Sequence, residues 1–182
     1  MSRSSMGANA VDCLADRVVV ITGASRGIGE AIAYRFAQAG AKVVVSARTL
    51  SDGDHVLAGG ISNVAATIER LGGQALAVRA DIGLVEHRNR LIDEAESQFG
   101  PVDILVNNAA VTYFEHVRNF QQKHFDLMFR VQVDAPFALA QRVLPGMIER
   151  GHGAILNVSS HAARHPAIDV GGRGGTVYGM CK

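Results

Sequence analysis

The chain has 182 residues, 48% of them hydrophobic, which suffices for one domain with a buried core but not comfortably for two. Lysine and arginine number 18 against 17 acidic residues, so no net field argues for a nucleic-acid or membrane partner. Two cysteines, Cys13 and Cys181, make no disulfide framework and match no metal spacing, and no apolar run approaches the ~20 residues of a membrane span.

The start of the chain is small and polar, without the apolar stretch of a signal peptide. Residues 1–15 therefore read as a flexible tail on a cytoplasmic protein, and 16–182 as a single domain. From there strand-like and helix-like segments alternate. Residues 17–22 (RVVVIT) are a near-continuous β-branched run, as in a strand buried on both faces. Residues 27–39 place Ile28, Ala31, Ile32, Phe36 and Ala39 at helical spacing, with Gly40 as a stop. A second strand is expected at 42–46 (KVVVS), a helix at 61–71 closed by Gly72-Gly73, and a third strand at 75–80. A helix follows over about 85–99, then a fourth strand at 102–106 behind Pro101. One long helix is expected over about 124–150, with Pro136 and Pro145 as points of disturbance. A fifth strand at 154–158 and a helix beginning near Tyr178 complete the series. This alternation implies an α/β fold, a doubly wound parallel sheet with helices on both faces. The stretches 49–60 and 170–175 read as surface loops.

A parallel sheet binds ligands at the carboxyl ends of its strands, where the winding switches. The turn after the first strand, Thr22-Gly23-Ala24-Ser25-Arg26-Gly27-Ile28-Gly29, is thus the expected phosphate cradle. Gly23, Gly27 and Gly29 permit a tight turn, close approach to a pyrophosphate and close helix–sheet packing. Their spacing differs from Gly-x-Gly-x-x-Gly, and alone they fit a plain strand-to-helix turn equally well. The second strand leaves through Ser46-Ala47-Arg48, with no acid before Asp52 to take up the ribose hydroxyls of NAD. Arg48 and Arg26 can converge on an adenosine 2′-phosphate, which argues for NADP(H) over NAD(H); the alternative is two solvated arginines.

At the far end Tyr178 precedes Lys182 by four residues, which puts both side chains on one helical face. There an ammonium can stabilise a phenolate, although such pairs also arise by chance on exposed helices. Three further motifs stand on the expected elements: Asp81 after the third strand, Asn107-Asn108-Ala109-Ala110 after the fourth, and Asn157-Val158-Ser159-Ser160 at the fifth. With the glycine turn and the Tyr178–Lys182 pair, they make residues 16–182 resemble the short-chain dehydrogenase/reductase family.

The resemblance implies a Rossmann-type domain that moves a hydride between NADP(H) and a small-molecule alcohol or ketone. It implies Tyr178 as general acid or base and Lys182 as the group that holds the nicotinamide ribose and supports Tyr178. Ser160, the second of its pair, would hydrogen-bond the substrate oxygen. Gly23, Ser25, Arg26, Gly27, Ile28, Gly29 and Arg48 would contact the cofactor, with Asp81 and Ile82 beside the adenine and Asn108 and Ala109 near the ribose. Counting back from Ser160 brings Gln132 to the position of the asparagine that completes the family's catalytic tetrad. Each residue also has a plainer role: Ser160 as a cap at the strand end, Asn107-Asn108 as turn residues, Asp81 as a helix N-cap. Family members pair through the long helix and the Tyr178 helix, so a homo-oligomer is an expectation for the full protein.

Gln132 for asparagine puts the proton relay in question, and Ala110 stands where glycine is usual. The family continues for tens of residues past its lysine. The expectation is therefore a fragment or truncated frame with its fifth strand as a bare edge, inactive as it stands. The insertion at 49–60 resembles a branch that includes citronellol-type and hydroxysteroid-type dehydrogenases, which suggests a hydrophobic alcohol or ketone. His161 and His165 lie four apart, but no third metal ligand has useful spacing and Pro166 argues against a helix there. The rival reading is a nucleotide-binding remnant without turnover. Gln132 and the missing continuation favour it, and intact Ser160, Tyr178 and Lys182 oppose it.

Overall fold

A computed structural model describes residues 13–51, 59–165 and 173–182; most of the 1–15 tail and the centres of both surface loops lie outside these residues. Five parallel strands, β1 (Val18–Thr22), β2 (Lys42–Ala47), β3 (Gln74–Arg79), β4 (Ile104–Asn107) and β5 (Ala154–Asn157), form one sheet in the order β3-β2-β1-β4-β5. Between them run α1 (Gly27–Gln38), α2 (Ile61–Arg70), α3 (Val85–Phe99), α4 (Gln122–Phe129) and α5 (Ala135–Arg150); α6 (Thr176–Met180) follows β5.

The uninterrupted apolar run of β1 feeds two separate cores, because successive side chains of a strand point to opposite faces. Val18 and Val20 join Val44, Leu91, Leu105 and Leu139 on the face covered by α3 and α5. Val19 and Ile21 join Val43, Val45, Ile61 and Ile68 on the face covered by α1 and α2. β5 departs from this pattern. Its composition suits a strand covered on both sides, yet Leu156 is 42% exposed and only Ile155 is half-buried.

The structure corrects three expectations. In α1 the buried positions are Gly29 and Ala33, whereas Ile28 and Ala31 are exposed, because the helix packs its smallest side chains closest to the sheet. The long helix is two α-helices joined by a π-helical segment, Arg130–Asp134. Pro136 falls at the start of α5, directly after the π-helical segment, and Pro145 lies within α5 without ending it. The fourth strand starts at Ile104, two residues later than expected. The preceding Asp103 serves instead as a clamp at the amino ends of β1, β4 and β5. Its Oδ2 accepts the Val18 N–H at 3.0 Å, while Oδ1 faces Arg17 at 3.4 Å, His152 at 3.3 Å and Arg150 at 3.8 Å.

Asp103→Ala removes the acceptor for the Val18 N–H and strands two guanidinium groups around a buried site. The substitution is expected to cost about 1–3 kcal/mol of stability. Urea unfolding checks this through a lower midpoint at unchanged slope; an unmoved midpoint would show the clamp to be dispensable.

Candidate active site

The chain winds outward from β1 to β3 and then crosses back to β4, so the loops leaving β1 and β4 diverge and open a groove between them. Thr22 fixes their separation. Its buried hydroxyl donates to the Val106 carbonyl at 3.3 Å and accepts the N–H groups of Asn108 and Ala109 at 3.1 Å each. Asn108 Nδ2 in turn donates to the carbonyls of Thr22 and Gly23 at 3.0 Å each. Gly23 has φ +67° and lies so close to the second loop that a Cβ would stand 2.7 Å from the Ala109 Cα. At Gly29 a Cβ would run into the Gly23 carbonyl and the Asn108 amide. These glycines are therefore required by close packing, not only by the turn.

The groove encloses about 270 Å³ and runs from Gly23, Ser25 and Arg26 past Arg48 to Asp81, Ile82, Asn108 and Ala109. Gly27, Ile28 and Gly29 are not part of this lining; Ile28 is exposed and Gly29 is buried against the β1–β4 junction. Arg26 reaches the Thr49 hydroxyl at 3.5 Å, and the Arg48 carbonyl accepts from Arg79 Nε at 3.1 Å. Among the described residues Asp81 is the one acid of the lining. It is not the N-cap of α3, a position that falls to Leu84; its Oδ1 accepts the Gly83 N–H at 2.9 Å. Sequence reasoning missed Thr22 and Thr49. Both are buried; Thr22 ends the apolar run of β1, where a closing hydroxyl was the only signal, and Thr49 stands two residues past β2 behind Arg48, where no signal marked it.

A second cavity of about 290 Å³ adjoins the groove at Ala109 and is lined by Asn107, Gln132, Ser159, Cys181 and Lys182. Lys182 does not share a helix with Tyr178, because α6 ends at Met180. The ammonium nevertheless stands 5.9 Å from the Tyr178 ring centroid and donates to the Val158 carbonyl at 2.8 Å. Desolvation by burial lowers the Lys182 pKa, against a smaller opposing effect of Cys181, so it gives up its proton at lower pH than an ordinary lysine. Burial pushes the Cys181 thiol up, with the nearby Gln132 amide and Lys182 acting the other way. Cys181 is buried in the cluster with Met128 and Val177.

Gln132 is the buried residue of the π-helical segment, and its Oε1 accepts the Val111 N–H at 2.9 Å. Its approach to the Cys181 thiol does not reach hydrogen-bonding geometry. Gln132 Nε2 and Asn107 Oδ1, a donor and an acceptor, are thus both buried without a partner beside the second cavity.

Ser160 and Tyr178 line neither cavity. Ser160 Oγ accepts the Ala162 N–H at 3.2 Å and caps the short 3-10 turn His161–Ala163, while Ser159 Oγ donates to the Lys182 carbonyl at 2.9 Å. Phe114 meets the Tyr178 ring edge-on at 6.2 Å, and Tyr113, Phe125, Phe129 and Met128 pack in the same cluster. The His161 and His165 rings lie 4.7 Å apart, and among the described residues no three potential metal ligands converge. No helix of the described residues is long and apolar enough to cross a membrane.

A doubly wound sheet with a glycine-turn groove at its switch point defines a Rossmann-type, dinucleotide-binding fold. The sequence profile of the short chain dehydrogenases matches residues 17–180, and the chain belongs to that family, whose members are oxidoreductases. It is 38% identical over 162 residues to the dehydrogenase/reductase SDR family member 4 of Sus scrofa, covering 87% of this chain and 54% of that protein. It is also 38% identical over 146 residues to the hydroxysteroid dehydrogenase-like protein 2 of Danio rerio, covering 80% of this chain and 35% of that protein. The chain therefore spans about half the length, or less, of these curated relatives. A metagenomic short-chain oxidoreductase solved in complex with NADP superimposes with a TM-score of 0.82 at 32% identity, over 93% of this chain and 71% of that one.

The contacts at Gly29 make a direct prediction. Gly29→Ala forces the first turn of α1 away from the β1–β4 junction and narrows the groove. Nucleotide affinity, followed by fluorescence titration, is expected to fall at least about tenfold; an unchanged affinity would mean that the groove is not the nucleotide site.

Proposed function

We propose that this chain carries the nucleotide-binding and catalytic half of an NADP(H)-dependent oxidoreductase acting on a hydrophobic alcohol or ketone. One observation carries the cofactor choice: Arg26 and Arg48 both line the groove where β2 ends, and among the described residues the one acid of that lining, Asp81, follows β3 rather than β2. Two guanidinium groups there suit a 2′-phosphate, whereas a diol would want a carboxylate. The glycine turn supplies backbone N–H groups for the pyrophosphate, Asp81 and Ile82 flank the adenine, and Asn108 and Ala109 lie along the ribose.

The bound nicotinamide supplies the hydride. Tyr178 gives its proton to the carbonyl oxygen in the reductive direction and takes it back in the oxidative one. Lys182, held by the Val158 carbonyl, stabilises the phenolate and the nicotinamide ribose. The Ser160 hydroxyl accepts from its own cap and keeps its hydrogen for the substrate oxygen. Gln132 takes the tetrad position, and its free Nε2 can hold the water of the proton relay. The aromatic cluster around Tyr178 supports an apolar substrate. The exposed stripe Val133, Phe137, Leu144 and Ile148 on and beside α5 supports pairing with a second copy.

Two measurements test this reading. Titration with NADPH and NADH should show tighter NADPH binding, and Arg48→Asp should weaken NADPH by about tenfold or more while sparing NADH. Equal affinities in the unmodified chain would remove the NADP(H) assignment. On a panel of hydrophobic ketones, Tyr178→Phe should lower kcat by at least about a hundredfold with nucleotide affinity unchanged. Binding without turnover on any member of the panel would instead favour the remnant.

A further inference from the structure

The Asp81–Ile82 corner of the groove is not anchored by an ordinary helix cap. α3 begins behind Leu84, whose side chain has no acceptor, and no side chain caps its first turn. The helix reaches backwards instead. His87, its third residue, accepts the Asp81 N–H at Nδ1 over 3.1 Å, and Arg88 Nη1 donates to the Ile82 carbonyl at 2.7 Å. Asp81 closes the intervening turn, its Oδ1 accepting from Gly83 and its carbonyl from Leu84, both at 2.9 Å. The backbone of the two groove residues is therefore gripped on its donor side by one α3 side chain and on its acceptor side by the next.

A capping box spans three residues with a serine or threonine hydroxyl and a glutamate. Here the contact spans six, from His87 back to Asp81, and joins the helix to the groove wall rather than to its own N-cap. The bond requires an unprotonated Nδ1, with the ring hydrogen on Nε2. We propose that His87 is a positioning residue of the cofactor site: its Nδ1 fixes the Asp81 peptide and thereby the wall against which the adenine half of the nucleotide rests. This inference depends on the groove being the nucleotide site.

The test is isothermal titration of 2′,5′-ADP, the adenine half of NADP(H), into the whole chain and two variants. His87→Phe keeps a flat ring without an acceptor, and His87→Asn restores an acceptor oxygen close to the Nδ1 position. The expected result is about tenfold weaker binding for His87→Phe and affinity within about threefold of the unmodified chain for His87→Asn. Urea unfolding of the same proteins separates this from helix capping, which would lower the midpoint and leave the affinity of the folded chain alone. Unaltered affinity in His87→Phe overturns the inference, as does His87→Asn binding as weakly as His87→Phe. If the phenylalanine variant does not fold, His87→Ala carries the same comparison. An unmodified chain that binds no 2′,5′-ADP overturns the NADP(H) reading and this inference together, whereas tight binding indifferent to residue 87 overturns this inference alone.

Discussion

The hydroxyl of Thr22 joins parts of the chain more than eighty residues apart in sequence, and the site depends on it. It satisfies two consecutive N–H groups at the point where β4 ends and the backbone leaves the sheet ladder. Buried N–H groups without partners are costly, so the second loop is drawn onto the first strand and held there. Asn108 locks the same junction from the other side by donating to two carbonyls of the glycine turn. The absence of side chains at Gly23 and Gly29 then becomes obligatory, since the loops are in backbone contact. A groove built in this way is shaped by main chain, and main chain is what a pyrophosphate recognises.

Most of the fold was legible in the sequence because its signals are local. The β-branched runs at β1 and β2 could be little other than strands buried on both faces, and α3 occupies the span expected of a helix between the third and fourth strands. Resemblance to a family then supplied which of the polar residues belonged together. What remained illegible depends on distant packing. Nothing in the pattern around Gln132 announces a π-helical segment, since a wider turn keeps helical spacing on either side and is paid for by a tertiary contact, the Val111 N–H. Asp103 read as one more strand residue, because its partners are distant in sequence, Arg17 just before β1 and Arg150 and His152 at the end of α5 and the turn after it. The Tyr178–Lys182 spacing suggested a shared helical face; proximity survives, but through the Val158 carbonyl instead of helix geometry.

The second cavity concentrates the opposite physics from the groove. Its charge, Lys182, is half-buried and destabilised by desolvation, and two of its amide groups lack a partner on one side. Such a cluster is unfavourable for folding taken alone, and it recurs where buried polar groups are held for chemistry. Gln132 belongs to both regimes. Its oxygen holds the Val111 N–H next to the groove, and its nitrogen is left for the cavity, so one side chain ties the loop after β4 to the surroundings of Lys182.

The two halves of the site also rest on unequal support. The groove stands on β1, β2 and β4, the most deeply buried strands, with a core on either face. The Tyr178–Lys182 side stands on β5, largely exposed, and on a five-residue α6 anchored by Val177 and Cys181 in a small aromatic cluster. Apolar burial scales with contact area, so local opening has its lowest cost at the β5–α6 end. The two sides of the site are therefore supported independently of each other. The groove keeps its shape through backbone hydrogen bonds in the centre of the sheet, whereas the alignment of Ser160, Tyr178 and Lys182 depends on whatever steadies β5 and α6.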